Sequence, residues 1–270
     1  MVKHTREVSM IGSTGSISAG MASLYGTNMR QLYDAMEKLA SGKKFKNAAE
    51  DLVGYLRAQN TQSDITQYEQ TRENLTNFKA STSAAVVAGT SIYENLTEME
   101  DLATQWAGTA DVDLKAQYAA EFNALKTEVA TTLANTYVDG VLLTDKDVAT
   151  PASVSLGPDG GTLTLSFSSE ADVSALDITA GGAVAAVQTQ VAAAMTYMYE
   201  AKSYDSITDQ QLKLNDTIIN SKKAVLSIIT DIDEAEQMDK VLSLTLRQQA
   251  TTAMMAQANI VQNSLSKLYE

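Results

Sequence analysis

Residues 241–266 read VLSLTLRQQATTAMMAQANIVQNSLS, and this stretch decides the fold. Its apolar side chains are Val241, Leu242, Leu244, Leu246, Ala250, Ala253, Met254, Met255, Ala256, Ala258, Ile260, Val261 and Leu265, with Leu268 just beyond. On a helix they point in nearly every direction, and a helix apolar all round must be buried all round. One partner helix covers only one stripe. The stretch carries a single charge, Arg247, but the amides of Gln248, Gln249, Gln257, Asn259, Gln262 and Asn263 interrupt it, which is costly in a bilayer. Membrane insertion is therefore not expected. The stretch closes a run from Ala183 to Glu270 that holds no Gly or Pro, while both prolines, Pro151 and Pro158, sit mid-chain. Helix interiors tolerate Pro least and Gly next. Two long helical arms thus flank one short non-helical island, and the outer ends of the arms need neighbours to bury them.

The first arm supplies a partner stripe. Ile17, Met21, Leu24, Leu32, Ala35 and Leu39 recur at helical spacing, with Asn28 as a polar interruption, and residues 8–29 are free of charge. Even so, a two-helix coil leaves outer faces exposed, and a large apolar patch on a soluble chain is an assembly surface or a liability. Gly42 offers a stop, and residues 43–54 read as a linker or short turn. A long helical pattern follows through Ile65, Tyr68, Leu75, Phe78, Val86, Tyr93, Leu96, Met99, Ala103 and Trp106, a rod of roughly 60 Å. Gly108 breaks it. Thr109 and Asp111 suit the cap of a further helix with the stripe Leu114, Tyr118, Phe122, Leu125, Val129 and Leu133.

Then the period changes. Asp139-Gly140 is a turn signal, and Leu163, Leu165 and Phe167 alternate with Thr162, Thr164 and Ser166, so residues 141–181 should hold short strands around Pro158-Asp159-Gly160-Gly161. A β-hairpin is the smallest object that fits. After Gly181-Gly182 the helical period returns with Val184, Val187, Val191, Met195 and Met198, then Leu214, Ile218, Val225, Ile228, Ile232 and Ala235. The expected fold is mainly α, a long antiparallel bundle or coiled coil of N- and C-terminal arms around a small central β-hairpin region.

Composition excludes several functions. The chain has 270 residues, 44% hydrophobic and 20% charged, enough for a sizeable core in one or two domains. Its formal charge of -13 opposes binding to nucleic acid, and no clustered Lys/Arg face is present. Without cysteine there is no disulfide, thiol catalysis or Cys-ligated metal, and the one histidine, His4, lies near a terminus. No catalytic, cofactor or metal site is expected. Glu94, Glu98, Glu100 and Asp101 read as a solvated helix face rather than an acid/base pair. Trp106 reads as a packing anchor, Met254-Met255 as adaptable packing, and the inner stripes as core. Lys3, His4 and Arg6 precede Glu7 with no apolar run behind them, so no cleavable signal peptide is expected.

Three segments carry a family resemblance. Leu39-Ala40-Ser41-Gly42-Lys43-Lys44-Phe45-Lys46-Asn47-Ala48-Ala49-Glu50-Asp51-Leu52-Val53-Gly54 resembles the bacterial flagellin signature, a Leu-Ser-Ser-Gly element followed by small residues, paired acids and Gly. Asp231-Ile232-Asp233-Glu234-Ala235-Glu236 and Gln248 to Asn259, with an Ala-Gln-Ala-Asn element, resemble the flagellin C-terminal region. Asp139-Gly140-Val141-Leu142-Leu143 resembles the Asn-Gly turn before the family's hairpin. All three occur in the family's order. The resemblance implies a subunit of the bacterial flagellar filament, extracellular and used for swimming, with self-association into a helical homopolymer. It further implies export through the flagellar type III channel, with an export chaperone, a cap protein and hook-associated proteins as partners.

On that resemblance the terminal helices, residues 1–42 and 236–270, form the filament-core coil, with Ile17, Met21, Leu24, Leu32, Leu39, Leu242, Leu246, Ala253, Ala256, Ile260 and Leu265 as polymerisation residues. Residues 43–63 form a spoke punctuated by Gly42 and Gly54, residues 64–138 and 183–235 the inner rod, and residues 139–182 a minimal outer region. Two departures stand out. The start, residues 1–20, is longer than the family's and rich in Ser and Gly. In members sensed by the vertebrate toll-like receptor a basic stretch precedes Glu-Leu-Ala, whereas here Glu98-Met99-Glu100-Asp101-Leu102-Ala103 puts acids where arginines are expected. The resemblance leaves the hook-filament junction protein as an alternative, and a secreted enzyme or effector on a helical scaffold as a distant one.

Overall fold

The computed structural model describes residues 2–158 and 160–269, and the side chains of residues 19–158, 160–261 and 264. Among them five helices and four short strands follow in the order α1 (Val2–Ser41), α2 (Leu52–Gly108), α3 (Val112–Asn135), β1 (Tyr137–Val138), β2 (Val141–Leu142), β3 (Ser153–Ser155), β4 (Thr162–Thr164), α4 (Ala183–Thr230) and α5 (Glu234–Tyr269). The chain divides into two compact units, residues 1–62 with 224–270, and residues 63–223.

In the first unit α1 packs on α5. Their direction follows from residue pairs whose numbers have a nearly constant sum: Lys43 bridges Asp231, and Gln248 meets Tyr25 and Met29, so the helices run antiparallel. α1 starts at Val2, well before the stripe that opens at Ile17. Gly12, Gly15 and Gly20 each cost about 1 kcal/mol relative to Ala, yet without a proline they do not end the helix. Gly42 does end it: at φ +67° it takes a left-handed conformation that L side chains rarely adopt, and its N–H donates to Lys38 O at 2.8 Å.

Two boundaries depart from the sequence pattern. The segment read as a spoke over residues 43–63 is non-helical only to Asp51, because Asp51 caps α2 by accepting from Gly54 N at 2.9 Å. Gly54 therefore sits in the first helical turn, and a Cβ there would strike the Asp51 carboxylate and come within 2.9 Å of the Phe45 ring. The second boundary has no Gly or Pro at all. α4 stops at Thr230 and α5 begins at Glu234, so Ile232, read as part of a helical stripe, lies in a break. Asp233 makes it by accepting from Ala235 N and Glu236 N at 3.0 and 3.1 Å, and the chain alongside is held by Lys44 N donating to Thr230 O (2.7 Å) and Ile232 N to Gly42 O (3.1 Å).

In the second unit α2 and α4 are again antiparallel. Ion pairs Asp64–Lys222, Arg72–Asp216 and Lys79–Asp205 step along them in reverse order, and Glu69 pairs with Lys223 beside the first. Gly89 lets them approach, since a Cβ there would sit 2.9 Å from the Tyr197 ring and 3.2 Å from Met198 Cα. Asp111 caps α3 through Asp113 N and Leu114 N. Phe122 and Val129 of α3 join Ile92, Leu96, Met99, Val187 and Ala194 in one core.

Two antiparallel hairpins follow α3, β1–β2 and β3–β4, where the alternation called for one at the least, and the first begins at Tyr137–Val138, in residues read as the end of the rod. Asp139 (φ 49°) and Gly140 (φ 79°) make the first turn, the double positive φ of a two-residue hairpin. Leu143, Val154, Leu165 and Phe167 from the island pack on Leu75, Phe78, Ala85, Tyr197 and Ala201 as a second core. Tyr197 donates its hydroxyl to Leu143 O at 3.0 Å, and burial pushes its pKa well above the usual tyrosine value.

Candidate assembly surface

The α1–α5 pair buries a narrow seam. Among the described residues its buried members are Asn28 and Ala35 from α1, and Leu244 and Thr251 from α5. Polar groups inside it find each other: Gln248 Nε2 lies 2.7 Å from Met29 Sδ and 3.4 Å from Tyr25 Oη. Met21, Leu32 and Leu39 are half-buried along the same contact. The other described candidates face out. Leu24, Ala253, Ala256 and Ile260 are exposed, and Leu242 and Leu246 are 57% and 67% exposed. The side chains of Ile17 and Leu265 lie outside the described residues.

Outward apolar residues extend beyond those candidates. Tyr33 and Met36 on α1 and Met238 on α5 are exposed, as are Leu52, Val53 and Leu56 in the first turns of α2. Their i, i+3 and i+4 spacing was a usable signal, since side chains so spaced share one helix face. It was obscured because a short apolar run directly after a turn resembles the start of a buried stripe.

The unit is clipped electrostatically where α1 ends. Lys43 Nζ lies 2.7 Å from Asp231 Oδ1, and Thr230 Oγ1 donates to the same oxygen at 2.8 Å. Hydrogen bonds from Lys43, Ser227 and Thr230 hold the Asp231 carboxyl at about 2, below its usual value of 3.8. Lys46 pairs with Glu37, and Lys38 with Glu50 at 3.4 Å. Lys43 and Lys46 of the Lys43-Lys44-Phe45-Lys46 run are thus ion-paired within the chain, and Lys44 Nζ donates to Ile228 O at 3.4 Å.

Glu98, Glu100 and Leu102 do not form one surface. Glu98 is exposed, Glu100 accepts from Gln188 Nε2 at 2.8 Å, and Leu102 is buried in the α2–α3–α4 core. Among the described residues no group of His, Cys, Asp or Glu could hold a metal ion, and no helix is long and apolar enough to cross a membrane.

The surface thus consists of paired terminal helices with a thin polar-and-apolar seam and large aliphatic side chains turned outward. Residues 13–148 match the family model of the bacterial flagellin N-terminal helical region. The chain belongs to the bacterial flagellin family. A flagellin from Halalkalibacterium halodurans is 28% identical over 252 residues, spanning 87% of this chain and 90% of that one. Among solved structures, Bacillus cereus flagellin superposes with a TM-score of 0.40 at 21% identity, over 56% of this chain and 88% of that chain. A structure assigned to a flagellar hook-associated protein of Vibrio parahaemolyticus gives 0.49 at 14% identity, over 72% and 100%. As a flagellin the chain is a structural subunit of the extracellular flagellar filament that drives swimming.

Proposed function

We propose that this subunit polymerises through the outward faces of α1 and α5, with the α2–α3–α4 unit serving as the rod around the filament core and residues 139–182 as a nearly smooth outer region. The observation that carries this is the exposure of Leu242 and Leu246, one turn apart, beside a seam that among the described residues buries only Leu244 and Thr251 of α5. Fully burying such a side chain is worth about 1.5–3 kcal/mol, so repeated contacts between copies supply the polymer's stability. Contacts between different faces of identical copies generate a helical filament when the rotation between copies does not close a ring. The role is mechanical rather than catalytic, with no cofactor. An export chaperone, cap protein and hook-associated proteins complete the partner set by family analogy.

Electron microscopy of the purified chain, with and without short filament seeds, tests the proposal. Filaments are expected from the full chain, and monomers from a variant lacking residues 1–42 and 236–270. Rings or monomers from the full chain under every seeded condition would replace it with a junction role. The acids Glu98 and Glu100 are further proposed to weaken docking to the vertebrate toll-like receptor, because like-sign charge opposes an interface built for arginines. Full activation of a receptor reporter by purified monomer would contradict that.

A further inference from the structure

Two outward patches of the first unit are complementary in a way that the terminal coil alone does not explain. One lies at the start of α2, where Leu52, Val53 and Leu56 are 57%, 68% and 51% exposed. These residues span about 6 Å along the helix. Next to them stands Arg57, whose side chain is exposed and makes no ion pair among the described residues. The other patch is the ridge Met238, Leu242 and Leu246 on α5, spaced at i, i+4 and i+8 over about 12 Å. Its flanking charge has the opposite sign: Asp239 is exposed and unpaired among the described residues, with exposed Glu234 one turn before Met238. Lys240 lies two residues from both Met238 and Leu242, which turns it to the opposite side of the helix. In a chain of net charge -13, most faces of two copies repel. The first patch combines an aliphatic strip with a free cation, and the second an aliphatic ridge with a free anion.

We propose that the Leu52–Val53–Leu56 face of one subunit receives the Met238–Leu242 ridge of the next copy, with Arg57 set against Asp239. This deepens the assembly proposal above and rests on it. The aliphatic side chains act as desolvated anchors, and the charge pair at their rim fixes orientation and rejects the wrong register. The two patches differ, so each subunit offers one of each, and the contact is heterologous, the kind that propagates into an open helix where the rotation does not close a ring. The receiving face begins at Leu52, after the non-helical link over residues 42–51, so the contact extends the assembly surface onto α2.

The chain's lack of cysteine makes the test clean. A Val53→Cys/Leu242→Cys double variant is grown into seeded filaments under reducing conditions, then oxidised and run on a non-reducing gel. A ladder of covalent multimers is expected from filaments, and none from dilute monomer or from either single variant. Filaments whose subunits all run as monomers overturn the contact while leaving assembly intact. Failure of the unmodified chain to form filaments overturns assembly and contact together. Independently, Arg57→Glu should raise the critical concentration by about tenfold, and adding Asp239→Arg should bring it back to within about threefold. A double variant no better than Arg57→Glu alone overturns the charge pairing.

Discussion

At the scale of single residues, Gly89 is the glycine whose added methyl would meet backbone. A methyl group there meets the Tyr197 ring and the Met198 backbone, and the backbone cannot rotate away as a side-chain tip can. Gly89→Ala should destabilise the second unit by about 1–3 kcal/mol, the range for overpacking a core, read as a lower thermal midpoint. Asp231 makes a pH prediction. Its folded pKa, about 2, lies below the ordinary carboxylate value, so its contribution to stability is complete above about pH 4 and disappears as pH falls towards 2. Asp231→Asn should flatten that part of the acid-unfolding profile, followed by circular dichroism. Neither residue announces itself in the sequence. Gly89 is one glycine inside a helical pattern, and the partner of Asp231 is distant along the chain.

At the scale of elements, caps and turns were legible because their chemistry is local. Gly42, Gly108, Asp111, Asp139-Gly140 and Gly181-Gly182 each mark a boundary that the structure also has. Asp111→Ala should cost about 1 kcal/mol by removing the acceptor for two orphan N–H groups of α3, measurable by chemical denaturation. The break at residues 231–233 was not legible. Asp occurs freely on helix surfaces, and only the packing of the α1 end against this point turns Asp233 into a cap. α5 offers a sharper contrast. Leu246→Asp should leave helix content and melting nearly unchanged while abolishing filaments, because Leu246 faces solvent in the isolated chain. Leu244→Asp should separate α1 from α5 as well, lowering the melting midpoint of the first unit.

At the scale of the whole molecule, charge sets the conditions for assembly. Copies carrying -13 each must approach closely, and salt screens that repulsion over distances of about 8–10 Å. The critical concentration for seeded growth should therefore fall as NaCl rises from about 0.01 to 0.15 M, followed by turbidity or sedimentation. The opposite trend would mean that exposed ion pairs, rather than apolar burial, dominate the lattice contacts.

The sequence by itself determined the helical arms, the central island, the local caps, the absence of thiol chemistry and the resemblance to flagellins. These follow from Pro and Gly placement, hydrophobic period and short motifs, all of which act over a few residues. Only the tertiary structure decided which apolar side chains of α5 are seam and which are surface. An apolar pattern that runs all round a helix carries no phase, so Leu242, Leu244 and Leu246 are equivalent in sequence. The placement of α1 buries Leu244 and leaves the other two outward, just as the packing of α3 and α4 on α2 puts Leu102 in a core and leaves Glu98 in water.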